Sequence, residues 1–214
     1  MTEAAKNNRL ILPETISFLI GELGQIASDD IAWSETITPP SNAEDFAVEA
    51  IWIICNSGMK ATIARQIEGR VLAAIKSGRS IHEVFGHKGK ASAMETIWSE
   101  RQRFFEEFNN ADDKLSYIET MPWIGKITKY HLAKNYGVDC AKPDVHLQRL
   151  ADRENTSVHD MCATLAAETG YRIATIDVIL WRACATGLLN SRTGEICPKQ
   201  EMPLSSISND RSRK

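Results

Sequence analysis

Apolar residues recur every three or four positions along most of the chain, a period that favours α-helices over strands. The segment 13–26 shows the pattern, with its apolar residues on one side of a predicted helix: Ile16, Leu19, Ile20 and Leu23. Alternation of apolar and polar residues never extends beyond a few positions, which argues against a sheet. The sequence therefore predicts an all-α protein.

The helical pattern is interrupted by turn residues, which divide the chain into predicted elements. Further helices are expected at 43–55, 60–75, 81–85, 91–108, 112–120, 126–136, 144–153, 156–169 and 173–189, with a loop at 30–42. We expect residues 1–190 to form one helical domain. Residues 191–214 contain two prolines and five serines, which predicts a loose C-terminal tail.

Composition excludes several classes of protein. A hydrophobic content of 43% in 214 residues excludes wholesale disorder, and no apolar run approaches the ~18 residues that span a bilayer. The N-terminal segment lacks a basic stretch followed by an apolar one, so we expect no secretory signal and no membrane partner. Five cysteines without a C-x-x-C spacing indicate reduced cytoplasmic thiols and predict no metal site.

The segment 121–125, Met-Pro-Trp-Ile-Gly, predicts a tight turn with a helix directly after it. Free N–H groups at the start of a helix suit an anion such as phosphate. Although the chain carries a net charge of −3, residues 120–150 contain five basic residues and two acidic ones. This local charge is typical of contact with a DNA backbone. An ordinary helical hairpin with solvated lysines is the alternative.

Asp144 follows Pro143 at the start of a predicted helix, where an aspartate caps free N–H groups. The helix dipole favours negative charge at this position. A carboxylate fixed in this way can stabilise a neighbouring positive charge and orient a water molecule. The alternative is a capping role alone, worth ~1 kcal/mol.

Residues 121–125 and Pro143-Asp144-Val145-His146 resemble, in order and spacing, two motifs of the helix-hairpin-helix DNA glycosylase superfamily, of the endonuclease III and 8-oxoguanine glycosylase type. In that family a Leu-Pro-Gly-hydrophobic-Gly hairpin precedes a Val-Asp-x-His type motif. The resemblance implies a two-lobed glycosylase fold, with one lobe from about 43 to 140 and the other from 1–42 with 155–190. It also implies that Asp144 is the catalytic carboxylate, which stabilises positive charge on the deoxyribose. It also implies a set of residues that bind the DNA backbone: Trp123, Gly125, Lys126, Lys129 and His146.

The same resemblance implies the partner and the location of the protein. The expected partner is double-stranded DNA with a damaged or modified base, bound by a monomer. The expected location is cytoplasmic and nucleoid-associated, of a prokaryotic or viral type. No cofactor is expected to be required, although the hairpin carbonyls of the family imply a candidate monovalent cation site.

Two positions depart from the family pattern. Lyase-active members have a lysine two residues after the second hairpin glycine, whereas this chain has Ile127, which has no amine for a Schiff base. We therefore expect a monofunctional enzyme, with Lys142 as the alternative amine. Trp123 replaces the first hairpin glycine, which alters the predicted phosphate site.

An extruded base needs a pocket with apolar walls and a few polar groups. The candidate walls are Trp52, Trp123 and Trp181, each of which could instead be a core residue. Asn56 and Ser57 are candidates for filling the gap in the duplex. Asp177 lies in an otherwise apolar helix, so it is expected either to bind the base or to pair with Arg149, Arg153 or Arg182.

These features favour a monofunctional DNA glycosylase, whose substrate base the sequence leaves open. A catalytically silent helix-hairpin-helix module that binds DNA or senses damage is the first alternative. A helical protein-interaction domain that binds no DNA is the second.

Overall fold

The computed structural model describes residues 9–197, and within this range it is helical, with no strand. A 3₁₀ helix spans Ile81–Glu83, and the α-helices, in chain order, are α1 Pro13–Leu23, α2 Gln25–Thr36, α3 Ala43–Asn56, α4 Ala61–Lys76, α5 Lys88–Ser99, α6 Arg101–Asn110, α7 Lys114–Thr120, α8 Thr128–Asn135, α9 Val145–Arg153, α10 Val158–Thr169 and α11 Ile173–Ala185. The prediction of an all-α protein is confirmed. The longest helix has 16 residues, and no helix among residues 9–197 has the length and apolarity to cross a membrane.

Three of the predicted elements have wrong boundaries. Gly24 adopts φ +58°, a conformation that L-residues rarely adopt, and it ends α1 and starts α2. The helix then continues to Thr36, so that residues 30–36 of the expected loop are helical. The expected single helix at 91–108 is instead two helices that meet at Glu100.

Buried apolar side chains form two clusters. The first lies within residues 46–140 and surrounds α3, which is buried over most of its circumference. In this cluster the rings of Phe46 and Tyr136 stack 4.5 Å apart, and the Tyr136 hydroxyl donates to the Phe46 carbonyl. The second cluster combines residues 11–27 with residues 141–189. Each buried Leu, Ile or Phe contributes about 1.5–3 kcal/mol, so both clusters hold their helices in place.

The contacts between the two groups of helices include several polar ones. Arg172, just before α11, donates to the carbonyls of Gly137 and Ser34, both at 2.7 Å. Asp139 accepts from the backbone N–H of Ala174 at 2.9 Å. Directional contacts of this kind fix the relative position of α8 and α11, which carry several of the side chains described below.

The first residues of the expected tail are ordered by hydrogen bonds. Leu189 and Ile196 form an antiparallel bridge, and the N–H of Cys197 donates to the Leu188 carbonyl at 2.7 Å. Ser191 is buried. The expectation of a loose segment is therefore wrong for residues 191–197, and residues 198–214 lie outside the described range.

The five cysteines are free thiols, of which four are buried and Cys197 is exposed. Burial raises the pKa of Cys55 and Cys140 to about 11, and that of Cys162 and Cys184 to about 12. These thiols stay protonated at neutral pH and pack as small apolar groups.

Candidate functional site

A cleft of about 550 Å³ lies between helices of the two clusters. Helices α3, α4 and α8 supply one side, and α2, α11 and the loop before α9 supply the other. The lining residues are Trp33, Ile53, Asn56, Ser57, Gly58, Met59, Ala61, Ile127, Thr128, His131, Lys134, Lys142, Asp144, Asp177, Val178 and Trp181. Its volume is within the range of small-molecule sites.

Asp144 lines this cleft at the start of α9. Its Oδ1 accepts from the backbone N–H of His146 at 2.8 Å and of Leu147 at 3.1 Å, as expected for a helix cap. The N–H of Asp144 itself donates to the Lys142 carbonyl at 2.8 Å, which tightens the loop around Pro143. No group in residues 9–197 donates to Oδ2. The carboxylate is thus fixed through one oxygen and can bind a ligand through the other.

Asp177 is the most buried charged group of the cleft, with 2% of its surface exposed. Its Oδ2 pairs with the ammonium of Lys134, and its Oδ1 accepts from the backbone N–H of Lys142 at 2.9 Å. The expected pairing with an arginine is wrong. Arg182 pairs with Asp30 on α2, Arg153 donates to the Arg192 carbonyl, and Arg149 lines a separate, shallower cavity.

Asp177 therefore links α8 and α11 to the loop that carries Asp144. Burial lowers the pKa of Lys134 to about 8, while the carboxylate of Asp177 stabilises the ammonium. The ion pair with Asp177 favours the charged form of Lys134 at neutral pH.

His131 is a cleft residue that sequence reasoning missed. His131 lies on α8, four residues after Ile127 and three before Lys134. This spacing puts the three side chains on one helix face, and all three line the cleft. Burial and the charges of Lys142 and Lys134 lower the pKa of His131 to about 3, so the ring is neutral. Its spacing from Ile127 was the signal that could have identified it.

The turn after α3 lines the opposite side of the cleft. Gly58 has φ +69°, which allows the chain to reverse before α4. The buried ammonium of Lys90, on α5, donates to the Ser57 carbonyl at 2.7 Å. Lys90 was also missed, because nothing local in the sequence connects it with residues 56–58.

The hairpin at 121–125 is a tight turn in which the N–H of Ile124 donates to the Met121 carbonyl at 3.1 Å. Trp123 has φ +66°. It is the third residue of a turn with Pro at the second position, where a positive φ is required and glycine is usual. Its indole contacts His87 edge-on and lies over Gly89, where an added Cβ would be 2.5 Å from the ring. Trp123 therefore packs on α5 and is not among the residues that line the cleft.

The charge of the hairpin is lower than the sequence suggests. Lys129 pairs with Glu119 at 2.5 Å, and Lys134 pairs with Asp177, so that two of the five basic residues are neutralised. Lys126 is exposed and has no acidic partner in the described part of the chain. A Cβ on Gly125 would meet no atom within 4 Å, so the backbone there is open to approach.

Two other predicted site residues also lie away from the cleft. Trp52 is buried in the first cluster, with the guanidinium of Arg65 3.4 Å from its ring centroid, so its assignment to the base pocket is wrong. The Nδ1 of His146 hydrogen-bonds with the Ser191 hydroxyl at 3.0 Å, beside the shallower cavity of about 300 Å³.

The structure thus brings together Asp144, Asn56, Ser57, Asp177 and Trp181 and adds His131, Lys134 and Trp33 to them. No group of three or more potential metal-ligating side chains occurs among residues 9–197. We compared the chain with protein-family models, with curated proteins and with solved structures, and none of them matched.

Proposed function

We propose that the protein is a monofunctional DNA glycosylase that extrudes a damaged or modified base and hydrolyses its N-glycosidic bond. One observation carries the proposal: a carboxylate fixed at a helix N-terminus, Asp144, lines a cleft large enough for a nucleotide and shares it with exposed indoles. The motif resemblance stated above agrees with this arrangement.

The chemistry follows from the charge that develops as the bond breaks. The base leaves with the bonding electron pair, and positive charge builds on the deoxyribose. The carboxylate of Asp144 stabilises that charge and orients a water molecule, which adds to the anomeric carbon and loses a proton. The departing base gains a proton, so the products are an abasic sugar and the neutral free base. Because hydrogen bonds from the backbone hold Oδ1, the carboxylate needs little reorganisation during the reaction.

Binding of the DNA strand is assigned to the hairpin and the start of α8. The N–H groups of Gly125, Lys126, Ile127 and Thr128 have no acceptor among the described residues, and the helix dipole favours an anion there. Lys126 adds an exposed charge beside them. The turn at residues 56–58, on the other side of the cleft, is the proposed element that fills the gap left in the duplex.

Ile127 lines the cleft at the position where lyase-active members of the resembling family have their amine. An aliphatic side chain cannot form a Schiff base, so the proposed product is an intact abasic site. Lys142, which also lines the cleft, is the residue to test if covalent chemistry is found.

A base-release screen tests the proposal. Duplexes with alkylated, oxidised, deaminated and mismatched bases are incubated with the protein, and abasic sites are detected by alkaline cleavage. Release of at least one base, without strand cleavage before alkali and without a borohydride-trapped adduct, is expected. Duplex binding with no release from any member would favour the silent DNA-binding module. The absence of salt-sensitive duplex binding would favour a protein-interaction domain.

A further inference from the structure

The unused hydrogen-bonding groups at the buried end of the cleft are mainly donors. Asp177 uses both carboxylate oxygens, one on Lys134 and one on the backbone of Lys142. The ammonium of Lys134 has three N–H groups, of which one is directed to Asp177. The other two have no acceptor in residues 9–197. A ligand that reaches this end therefore meets donors.

His131 lies one helical turn from Lys134 on the same face of α8 and has no hydrogen-bond partner among the described side chains. Burial, together with the positive charges of Lys142 and Lys134, lowers the pKa of His131, so its ring is neutral and has one N–H to donate. Of the charged groups that line the cleft, Lys134 and Lys142 would repel a cationic base, and Asp177 is already paired with Lys134. The carboxylate of Asp144 is assigned to the sugar in the proposed mechanism.

Two indoles flank the same space. Trp33 on α2 and Trp181 on α11 both line the cleft, and each leaves more than a third of its surface exposed. Exposed aromatic faces stack on planar bases whatever their sequence context. Stacking supplies affinity for a base, and the hydrogen-bonding groups decide which base is held.

Resting on the proposed function, we infer that the cleft selects an uncharged base that presents hydrogen-bond acceptors to Lys134, and that it rejects cationic N-alkylated purines. The O6 and N7 atoms of hypoxanthine are acceptors of this kind. Methylation at N7 of a guanine nucleotide removes one acceptor and adds a positive charge beside two lysines. The two classes of lesion therefore differ in both hydrogen bonding and charge.

The test compares two duplexes of one sequence, with hypoxanthine or 7-methylguanine opposite the same cytosine. The rate of base release is divided by the spontaneous rate for each lesion, because the alkylated base leaves more readily by itself. We expect this ratio to be at least about 10-fold higher for hypoxanthine, the effect of one hydrogen bond to a charged group. Binding of both duplexes to the Asp144→Asn variant gives a second measurement that does not need catalysis.

The double variant Lys134→Met with Asp177→Asn removes the ammonium without leaving an unpaired buried charge, and it keeps an oxygen for the Lys142 N–H. The fold of this variant is first verified by circular dichroism. The normalised release rate of hypoxanthine should then be within about 3-fold of that of 7-methylguanine. Equal or better release of 7-methylguanine by the wild type, or an unchanged preference in the double variant, would overturn the inference and leave the glycosylase proposal intact. A preference in binding with no release would refute catalysis and retain the base preference. If neither release nor preference is found, both fail.

Discussion

The hairpin and the cleft differ in how their charges are held. In the hairpin, Lys129 pairs with Glu119 near the surface, and the contacts join residues close in sequence. In the cleft, Lys134 and Asp177 are buried together and are 43 positions apart. A motif can therefore identify local backbone geometry, whereas partners that are distant in sequence determine which of its charged side chains remain unpaired.

The largest effect is expected when the buried pair of the cleft is broken. Asp177→Ala leaves the Lys134 ammonium buried without its partner and should lower the free energy of unfolding by about 3–5 kcal/mol. Urea denaturation measures the loss. The double variant Lys134→Met with Asp177→Asn is the control and should recover most of it. A loss below about 1 kcal/mol for Asp177→Ala would show that the pair resembles a surface ion pair.

Removing the charge of Asp144 should abolish most of the chemistry while sparing the fold. Asparagine caps helices about as well as aspartate, so Asp144→Asn should fold normally. Base release should fall by about 100-fold or more, and duplex affinity should persist. Asp152→Asn changes an exposed carboxylate on the same helix and serves as the matched control. Equal rates in the two variants would remove Asp144 from the mechanism.

Lys90 connects the first cluster to the cleft through the Ser57 carbonyl. Lys90→Met leaves that carbonyl without its donor and should cost about 1–3 kcal/mol of stability. The turn at 56–58 then loses its support, so extrusion of the base, followed by 2-aminopurine fluorescence, should weaken. Lys88→Met, on the exposed side of α5, is the control. Indistinguishable extrusion in the two variants would show that Lys90 does not position the turn.

On the hairpin side, Lys126 is the basic residue that stays free to contact a phosphate. Lys126→Ala should weaken duplex binding, and the slope of log affinity against log salt should become shallower by about 0.9, the effect of one lost phosphate contact. Fluorescence anisotropy at several salt concentrations measures this slope. Lys76→Ala, at the end of α4, should leave it unchanged. A slope identical in both variants would argue against the hairpin as the phosphate site.

The change in salt slope expected for Glu119→Gln equals that for Lys126→Ala in size and has the opposite sign. Glu119→Gln weakens a pair near the surface, so stability should change by less than about 1 kcal/mol. Lys129 is then free for a phosphate, and the same salt slope should become steeper by about 0.9. If duplex binding weakens instead, Lys129 needs Glu119 to hold its side chain in position. The hairpin lysine would then depend on its carboxylate partner, as Lys134 in the cleft depends on Asp177.

Local features of the fold were predictable from the sequence because their partners are neighbours. Asp144 caps a helix that begins at the next residue, as its position after Pro143 predicted. The break at Glu100 was missed because the apolar pattern continues through it. The partner of Asp177 was missed because only three arginines were considered, and the contact of Lys134 on α8 with Asp177 on α11 joins residues far apart in sequence. The contact of Lys90 was missed for a similar reason. Its acceptor is a main-chain oxygen, which the type of residue does not indicate.

The position of the Trp123 indole over Gly89 constrains how the two positions can evolve. A side chain at residue 89 would collide with the ring, whereas a glycine at residue 123 would suit the backbone and empty the space above residue 89. The two positions should therefore covary: a relative of this chain with glycine at 123 is free to accept alanine or a larger residue at 89, and one with tryptophan at 123 must keep glycine at 89.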